Sequence, residues 1–108
     1  MIETQLLPDS SIVCRPSGRL DWITAVSLRH VIGDSLGPGV KIVIDLSRVD
    51  FIDAVGLSAI VGSVRRVRRA GGGAQICGAS GQVQRSMELA GVYRFVMRCP
   101  TTTGHDAA

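Results

Sequence analysis

The stretch Lys41–Ile60, KIVIDLSRVDFIDAVGLSAI, constrains the fold more than any other part of the chain. It opens with the β-branched run Ile42-Val43-Ile44 and ends its apolar section at Asp45-Leu46. A short, continuous apolar run of this kind predicts a buried strand of a parallel sheet. A polar turn follows, with Val49 and Phe51 at alternate positions. Asp53 then stands directly before Ala54-Val55-Gly56-Leu57, where a helical period begins. A carboxylate at a strand-to-helix junction faces solvent or a partner, because burying it unpaired is costly.

The rest of the chain supplies alternating elements. Ile2 to Leu7 predicts a first edge strand, broken at Pro8-Asp9-Ser10-Ser11. Ile12-Val13-Cys14-Arg15 restarts a strand that Pro16-Ser17-Gly18 bends or bulges, and Pro16 suits an edge or irregular position. A helix is expected from Trp22 or Ile23 to Leu36, with Ile23, Val26, Val31 and Ile32 as its apolar positions. Gly37-Pro38-Gly39 ends it. In the next helix Leu57, Ile60, Val64 and Val67 fall within an arc of about 80° at ~100° per residue. Arg65, Arg66, Arg68 and Arg69 lie opposite, and Gly71-Gly72-Gly73 is the stop. Ala74 to Gly78 reads as a strand, Gln82 to Ala90 as a helix with Val83, Met87 and Ala90 inward, and Phe95-Val96-Met97 as a last strand. Such alternation implies right-handed crossovers and a mixed, mostly parallel sheet of four to five strands with helices on one side. The first strands would pair antiparallel.

The order Val43-Ile44-Asp45-Leu46-Ser47, Val49, Phe51-Ile52-Asp53 and Gly56-Leu57 resembles the STAS domain, the fold of bacterial anti-sigma factor antagonists. A second match is Gly18-Arg19-Leu20-Asp21, where the family carries a Gly-x-Leu/Ile-Asp turn. The resemblance runs from about Ile12 to Met97. It implies a SpoIIAA-like domain over residues 1–100, followed by a flexible tail over residues 101–108. It implies a partner too: an anti-sigma factor of the serine kinase type, using its own ATP, whose capture releases a sigma factor. Partner contacts carried over from the family are Asp21, Asp53, Ala54, Val55, Gly56 and Leu57. Phosphorylatable members have Ser or Thr directly after the second Asp, whereas this chain has Ala54 and then Val55. Neither has a hydroxyl, so the usual phosphorylation cannot occur there. Ser47 and Ser58 stand elsewhere in space and do not substitute for it. An alternative implied by the family is an accessory subunit of a lipid-transporting membrane complex.

Composition narrows the function classes. The 108 residues fit one domain with a core of Val, Ile, Leu and Ala, since only 4% are aromatic. No apolar run reaches the ~20 residues of a spanning helix, and no basic-then-apolar leader is present. A soluble cytoplasmic protein is therefore expected, without direct membrane insertion. The net charge of +3 comes from eleven Arg and one Lys against nine acids. The run Arg65-Arg66-Val67-Arg68-Arg69 has no interleaved aromatic residues to stack bases, so it reads as a solvated helix face, not a nucleic-acid site. An acidic patch on a protein remains a target for it. Cys14, Cys77 and Cys99 form neither a metal set nor an even disulfide set. They are expected to be reduced, buried thiols; because Cys77 and Cys99 belong to the last two expected strands, a redox-gated disulfide between them is the alternative, a regulator in place of phosphorylation. His30 and His105 are isolated. With no nucleophile–base pair, carboxylate dyad or metal cluster, the chain is not expected to be an enzyme or to need a cofactor.

Overall fold

Strand β2 (Ile12–Leu20) organises the architecture, because its nine residues serve three neighbours. The computed structural model describes residues 2–91 and the backbone of Val96–Met97. Strand β1 (Ile2–Leu6) pairs antiparallel with β2, from Leu6↔Ile12 to Ile2↔Pro16. On the same strand, β3 (Lys41–Asp45) pairs in parallel with Ile12 to Cys14 and β4 (Arg48–Ile52) with Ser17 to Leu20. Parallel strands β5 (Gly73–Cys77) and β6 (Val96–Met97) extend the sheet beyond β3, giving the order β1-β2-β3-β5-β6. The main path is the expected mixed, mostly parallel sheet, and β4 is an addition to it.

Three helices are described: α1 (Trp22–Gly33), α2 (Ala54–Arg69) and α3 (Gly81–Leu89). Their buried residues Leu28, Ile32, Ile60, Val64, Val67, Val83 and Met87 form one core with Cys14, Ile42, Ile44, Ala74 and Ile76 of the sheet. All three therefore cover one face, as the resemblance implies. Alternate strand residues Val13, Val43 and Cys77 form a second small cluster with Leu7. Arg15 and Asp45 alternate in step with that second set. There the Arg15 guanidinium donates to the Asp45 carboxylate at 2.9 Å, and Glu3 approaches Arg15 at 3.9 Å and Arg48 at 2.8 Å. Burial works to raise the Asp45 carboxyl, but the hydrogen bonds from Arg15 and Ser47 outweigh it and hold the group below the ordinary carboxylate value.

Several expectations need correction. Residues 48–52 are a strand, not a turn. Four residues of β2 (Cys14 to Ser17) face five on the β3–β4 side (Ile44 to Arg48) where pairing passes from β3 to β4, and the step Gly18–Arg19 matches Val49–Phe51. The second offset is a β-bulge. The second leaves Asp50 unmatched, so Val49 and Ile52 are buried while Phe51 is only partly covered, with the Arg19 guanidinium 4.6 Å from its ring centre. Pro16 needs no correction: it lies buried inside β2, at the irregular position that was one of its two expected places. It falls in the gap between the last β3 pair at Cys14 and the first β4 pair at Ser17, where a missing donor is tolerated. Helix α1 stops at Gly33 instead of Leu36, because the Asp34 and Ser35 amides fold back onto the His30 and Ile32 carbonyls at 3.0 and 2.9 Å. Ala90 is exposed as the cap of α3. Cys99 and the expected tail from Thr101 lie outside the described residues.

Candidate functional site

The carboxyl ends of β2 and β4 lie side by side and deliver two aspartates to one rim. Asp21 is in extended conformation and its Oδ1 accepts from the Ile23 and Thr24 amides at 3.1 and 3.2 Å. The Thr24 hydroxyl donates to the Arg19 carbonyl at 3.0 Å, which ties the first turn of α1 back to β2. Asp53 is also extended, and its Oδ1 accepts from the Gly56 amide at 2.8 Å. The two turns are joined by the Asp53 amide, which points at the Leu20 carbonyl at 3.4 Å. Both aspartates are thus helix caps, each satisfying amides that would otherwise lack partners. Capping also leaves them half-exposed at the rim.

Gly56 fixes how closely the two turns approach. A Cβ there would overlap the Leu20 carbonyl oxygen and lie 3.1 Å from Ile52 Cγ1. Only glycine lets α2 start directly on the end of β2. Gly56, expected as a partner contact, is buried beneath the rim. Leu57 is half-buried and packs against the main core. Ala54 and Val55 are exposed, as a contact surface requires.

The structure adds residues that periodicity assigned to the core. Ile23 and Val26 are 58% and 43% exposed, and beside them Trp22 is 63% exposed and Val55 45%. Helix α1 instead buries Ala25, Leu28 and Ile32. The signal was present in the sequence: Ala25, Leu28 and Ile32 follow the 3-4 spacing of a packed face, and Ile23 and Val26 stand off it. Four large apolar groups thus cluster around two capped helix starts, the kind of exposed patch that marks an interaction surface.

Gln82 was not foreseen. Its amide nitrogen donates to the Ile52 carbonyl at 2.8 Å, and its carbonyl oxygen accepts from the Ile52 amide at 3.0 Å. The side chain of α3 thereby replaces a neighbouring strand at the end of β4 and steadies the residue before Asp53. A glutamine in the first turn of a helix has no sequence signature for such a clamp.

The cysteines separate. Cys14 is fully buried and free, and burial pushes its thiol up to about 11, so it carries no thiolate near neutral pH. Cys77 ends β5, is fully buried, and is half of a disulfide. The four arginines Arg65, Arg66, Arg68 and Arg69 all face outward from α2, opposite its buried stripe. Among the described residues, no group of three His, Cys, Asp or Glu side chains is placed to hold a metal ion, and no helix is long and apolar enough to cross a membrane.

The fold is a mixed sheet with three helices on one face and both helix-capping turns at one end. The chain belongs to the STAS domain family, whose match covers residues 2–108. Among similar solved structures is an anti-sigma factor antagonist from Mycobacterium paratuberculosis, with 28% identity over 94% of this chain and 87% of that one, at a TM-score of 0.70. The anti-sigma factor antagonist SpoIIAA in its unphosphorylated form shares 18% identity over 93% and 89%, with a TM-score of 0.76. A sulfate transporter family protein from Wolinella succinogenes shares 18% over 85% and 80%, with a TM-score of 0.72.

Proposed function

We propose that this protein is an anti-sigma factor antagonist that is not switched by phosphorylation at the usual position. It binds an anti-sigma factor of the kinase type through the rim formed by Asp21, Asp53, Ala54 and Val55, and so releases a sigma factor. The observation that carries this reading is the patch of Trp22, Ile23, Val26 and Val55 around the two capped turns. Its support from relatives is the antagonist from Mycobacterium paratuberculosis at 28% identity. At the first position of α2 the family's hydroxyl is replaced by the Ala54 methyl group, so the partner's ATP has no acceptor there.

The test is titration calorimetry of the chain against the purified anti-sigma factors of its own genome, with ATP and with ADP. Affinity should be the same in both nucleotides. Ala54→Asp should weaken the complex by at least tenfold, since it places an uncompensated charge in a packed contact. Ala54→Ser should restore phosphate transfer from the partner's ATP. Affinity unmoved by Ala54→Asp would remove the α2 turn from the contact.

The sulfate transporter neighbour favours a second reading, a fixed accessory domain of a membrane transport assembly. That role predicts no binding to any anti-sigma factor and co-purification with permease subunits. The disulfide at Cys77 supports a redox-regulated form of the antagonist, in which reductant would change the measured affinity.

A further inference from the structure

Below the apolar rim, α1 and α2 diverge around a surface cleft of about 340 Å³ lined by Val26, Arg29, His30, Gly33, Asp34 and Arg66. Val26 belongs to both features, so the cleft continues the apolar patch along the helices. Both helices begin at the rim, and their exposed residues change character along their length. Trp22, Ile23, Val26 and Val55 occupy the first turns, whereas Arg29, His30, Arg65, Arg66 and Arg69 occupy the later ones. Gly33, with no side chain, leaves room for the Arg66 guanidinium, and the space above Gly62, one turn before Arg66, is open.

Arg66 is held in place across the cleft. Its Nη1 donates to the Arg29 carbonyl at 3.4 Å, near the C-terminal end of α1, where unpaired carbonyls favour a cation. Its Nη2 lies 3.1 Å from where a Cβ of Gly33 would stand, so the guanidinium rests directly over that glycine. Arg66 as a whole is exposed. Glu3, Arg15, Asp45 and Arg48 form ion pairs on the sheet, and among the described residues neither Arg29 nor Arg66 has an ion-pair partner. Asp34 lines the cleft without pairing with Arg29 or Arg66. Among the described residues the cleft therefore carries two arginines without an ion pair, with Asp34 as the one carboxylate in its lining.

We propose that the α1–α2 cleft is the docking groove for an acidic amphipathic helix of the partner, its apolar residues covering Trp22, Ile23, Val26 and Val55 and its carboxylates pairing with Arg29 and Arg66. This rests on the antagonist reading above and adds the chemistry of the partner segment. From Ile23 to Gly33 the groove spans about 15 Å at ~1.5 Å per residue, close to three turns of a docked helix. The partition of apolar and cationic groups along the helix axis favours such a segment over an anionic membrane. An interfacial helix separates apolar and basic residues onto opposite faces, and a bilayer surface does not enter a cleft.

The test uses the full chain and the anti-sigma factor that binds it, titrated between about 50 and 300 mM salt. Arg29→Glu and Arg66→Glu should each lower affinity by about tenfold or more and reduce its salt dependence, because both reverse a charge that meets a carboxylate. Arg85→Glu, the same charge change on an exposed position of α3, should leave affinity within about twofold. Arg66→Lys should retain most of the binding, and a carboxylate-to-Arg change in the partner helix should rescue Arg66→Glu. Circular dichroism melts confirm that each variant is folded. Binding weakened by Ala54→Asp but equally indifferent to Arg29→Glu, Arg66→Glu and Arg85→Glu overturns the groove and leaves the antagonist reading standing. No binding by the wild type to any anti-sigma factor overturns both. Sedimentation with vesicles of three parts phosphatidylcholine to one part phosphatidylglycerol, lost in Arg29→Glu and Arg66→Glu, would overturn the acidic helix in favour of a lipid surface.

Discussion

Helices α1 and α2 enter the structure in the same way and end as opposites. Each follows the end of a β2-side strand, each is capped by an extended aspartate, and neither has an acidic residue in its first turn. Helix α2 then buries Ile60, Val64 and Val67 in a continuous stripe and turns its arginines to solvent. Helix α1 buries Ala25, Leu28 and Ile32 but leaves Trp22, Ile23 and Val26 in water. In α2 the apolar pattern beyond the first turn is used by the fold, and Val55 at its start is left exposed. In α1 more of it is left over, and the remainder lies where a partner would meet the capped turns. The apolar residues a helix hides report on folding, and those it leaves in water report on association.

The comparison breaks most severely at Gly56, where the start of α2 touches the backbone at the end of β2, just before α1. Gly56→Ala would drive a methyl group into the Leu20 carbonyl. The expected loss is about 3 kcal/mol or more, read as a drop in the urea midpoint or as failure to fold, because backbone must move to accommodate it. Gly62→Ala provides the contrast on the same helix, since a Cβ there has no atom within 4 Å. It should gain roughly 0.5–1 kcal/mol from helix propensity and a less flexible unfolded chain. Equal midpoints for the two variants would show that the close approach of α2 to β2 does not hold the rim together.

The caps give the next largest effects. Asp21→Ala and Asp53→Ala should each cost about 1 kcal/mol in the same unfolding measurement. Asp21 accepts from two amides and Asp53 from one, so Asp21→Ala should be the costlier. The Asn variants sharpen the comparison: they keep an acceptor, so stability should stay within about 0.5 kcal/mol. Affinity lost in Asp53→Asn without loss of stability identifies a partner contact. Affinity retained leaves Asp53 as a cap alone.

Ser63 lies on α2, buried with its hydroxyl unpartnered. Ser63→Ala should raise stability by about 1 kcal/mol by removing a polar group that has lost its water. A loss of similar size would mean that the hydroxyl makes a hydrogen bond in solution, and that α2 is less purely apolar on its inner side than the comparison holds.

Where the sequence was legible, one periodicity ruled an entire element. The β-branched run of β3 and the stripe of α2 each match a single template, and Asp53 stands directly before the second of them, after β4. It failed where two demands overlapped in one segment. Residues 48–52 carry a bulge at Asp50, which spaces the buried Val49 and Ile52 three apart and erases the period of two that a strand displays. Helix α1 superimposes a folding stripe on a surface patch, so Ile23 and Val26 read as core. The clamp of Gln82 on Ile52 was illegible for another reason: it joins residues 30 apart through a side chain with no characteristic spacing. The packing role of Gly56 was illegible as well, because close approach of backbones leaves no mark in a sequence beyond the glycine itself.

The smallest effect on stability carries the most weight for the comparison. Trp22→Ala and Ile23→Ser remove apolar surface that is already largely in water, so unfolding free energies should move by less than about 0.5 kcal/mol. Leu28→Ala, one to two turns along the same helix but fully buried, should cost about 2–5 kcal/mol. Binding should invert that order. Trp22→Ala should weaken the complex with the anti-sigma factor by at least tenfold, as loss of an aromatic anchor does in a desolvated contact. Should Trp22→Ala instead destabilise the free chain as Leu28→Ala does, the residue belongs to the fold, and the contrast between the two helices disappears. Unchanged stability together with unchanged affinity would leave the patch without a partner and move the contact elsewhere on the rim. Only the combination of intact folding and lost binding makes α1 the helix whose apolar residues are completed by another protein.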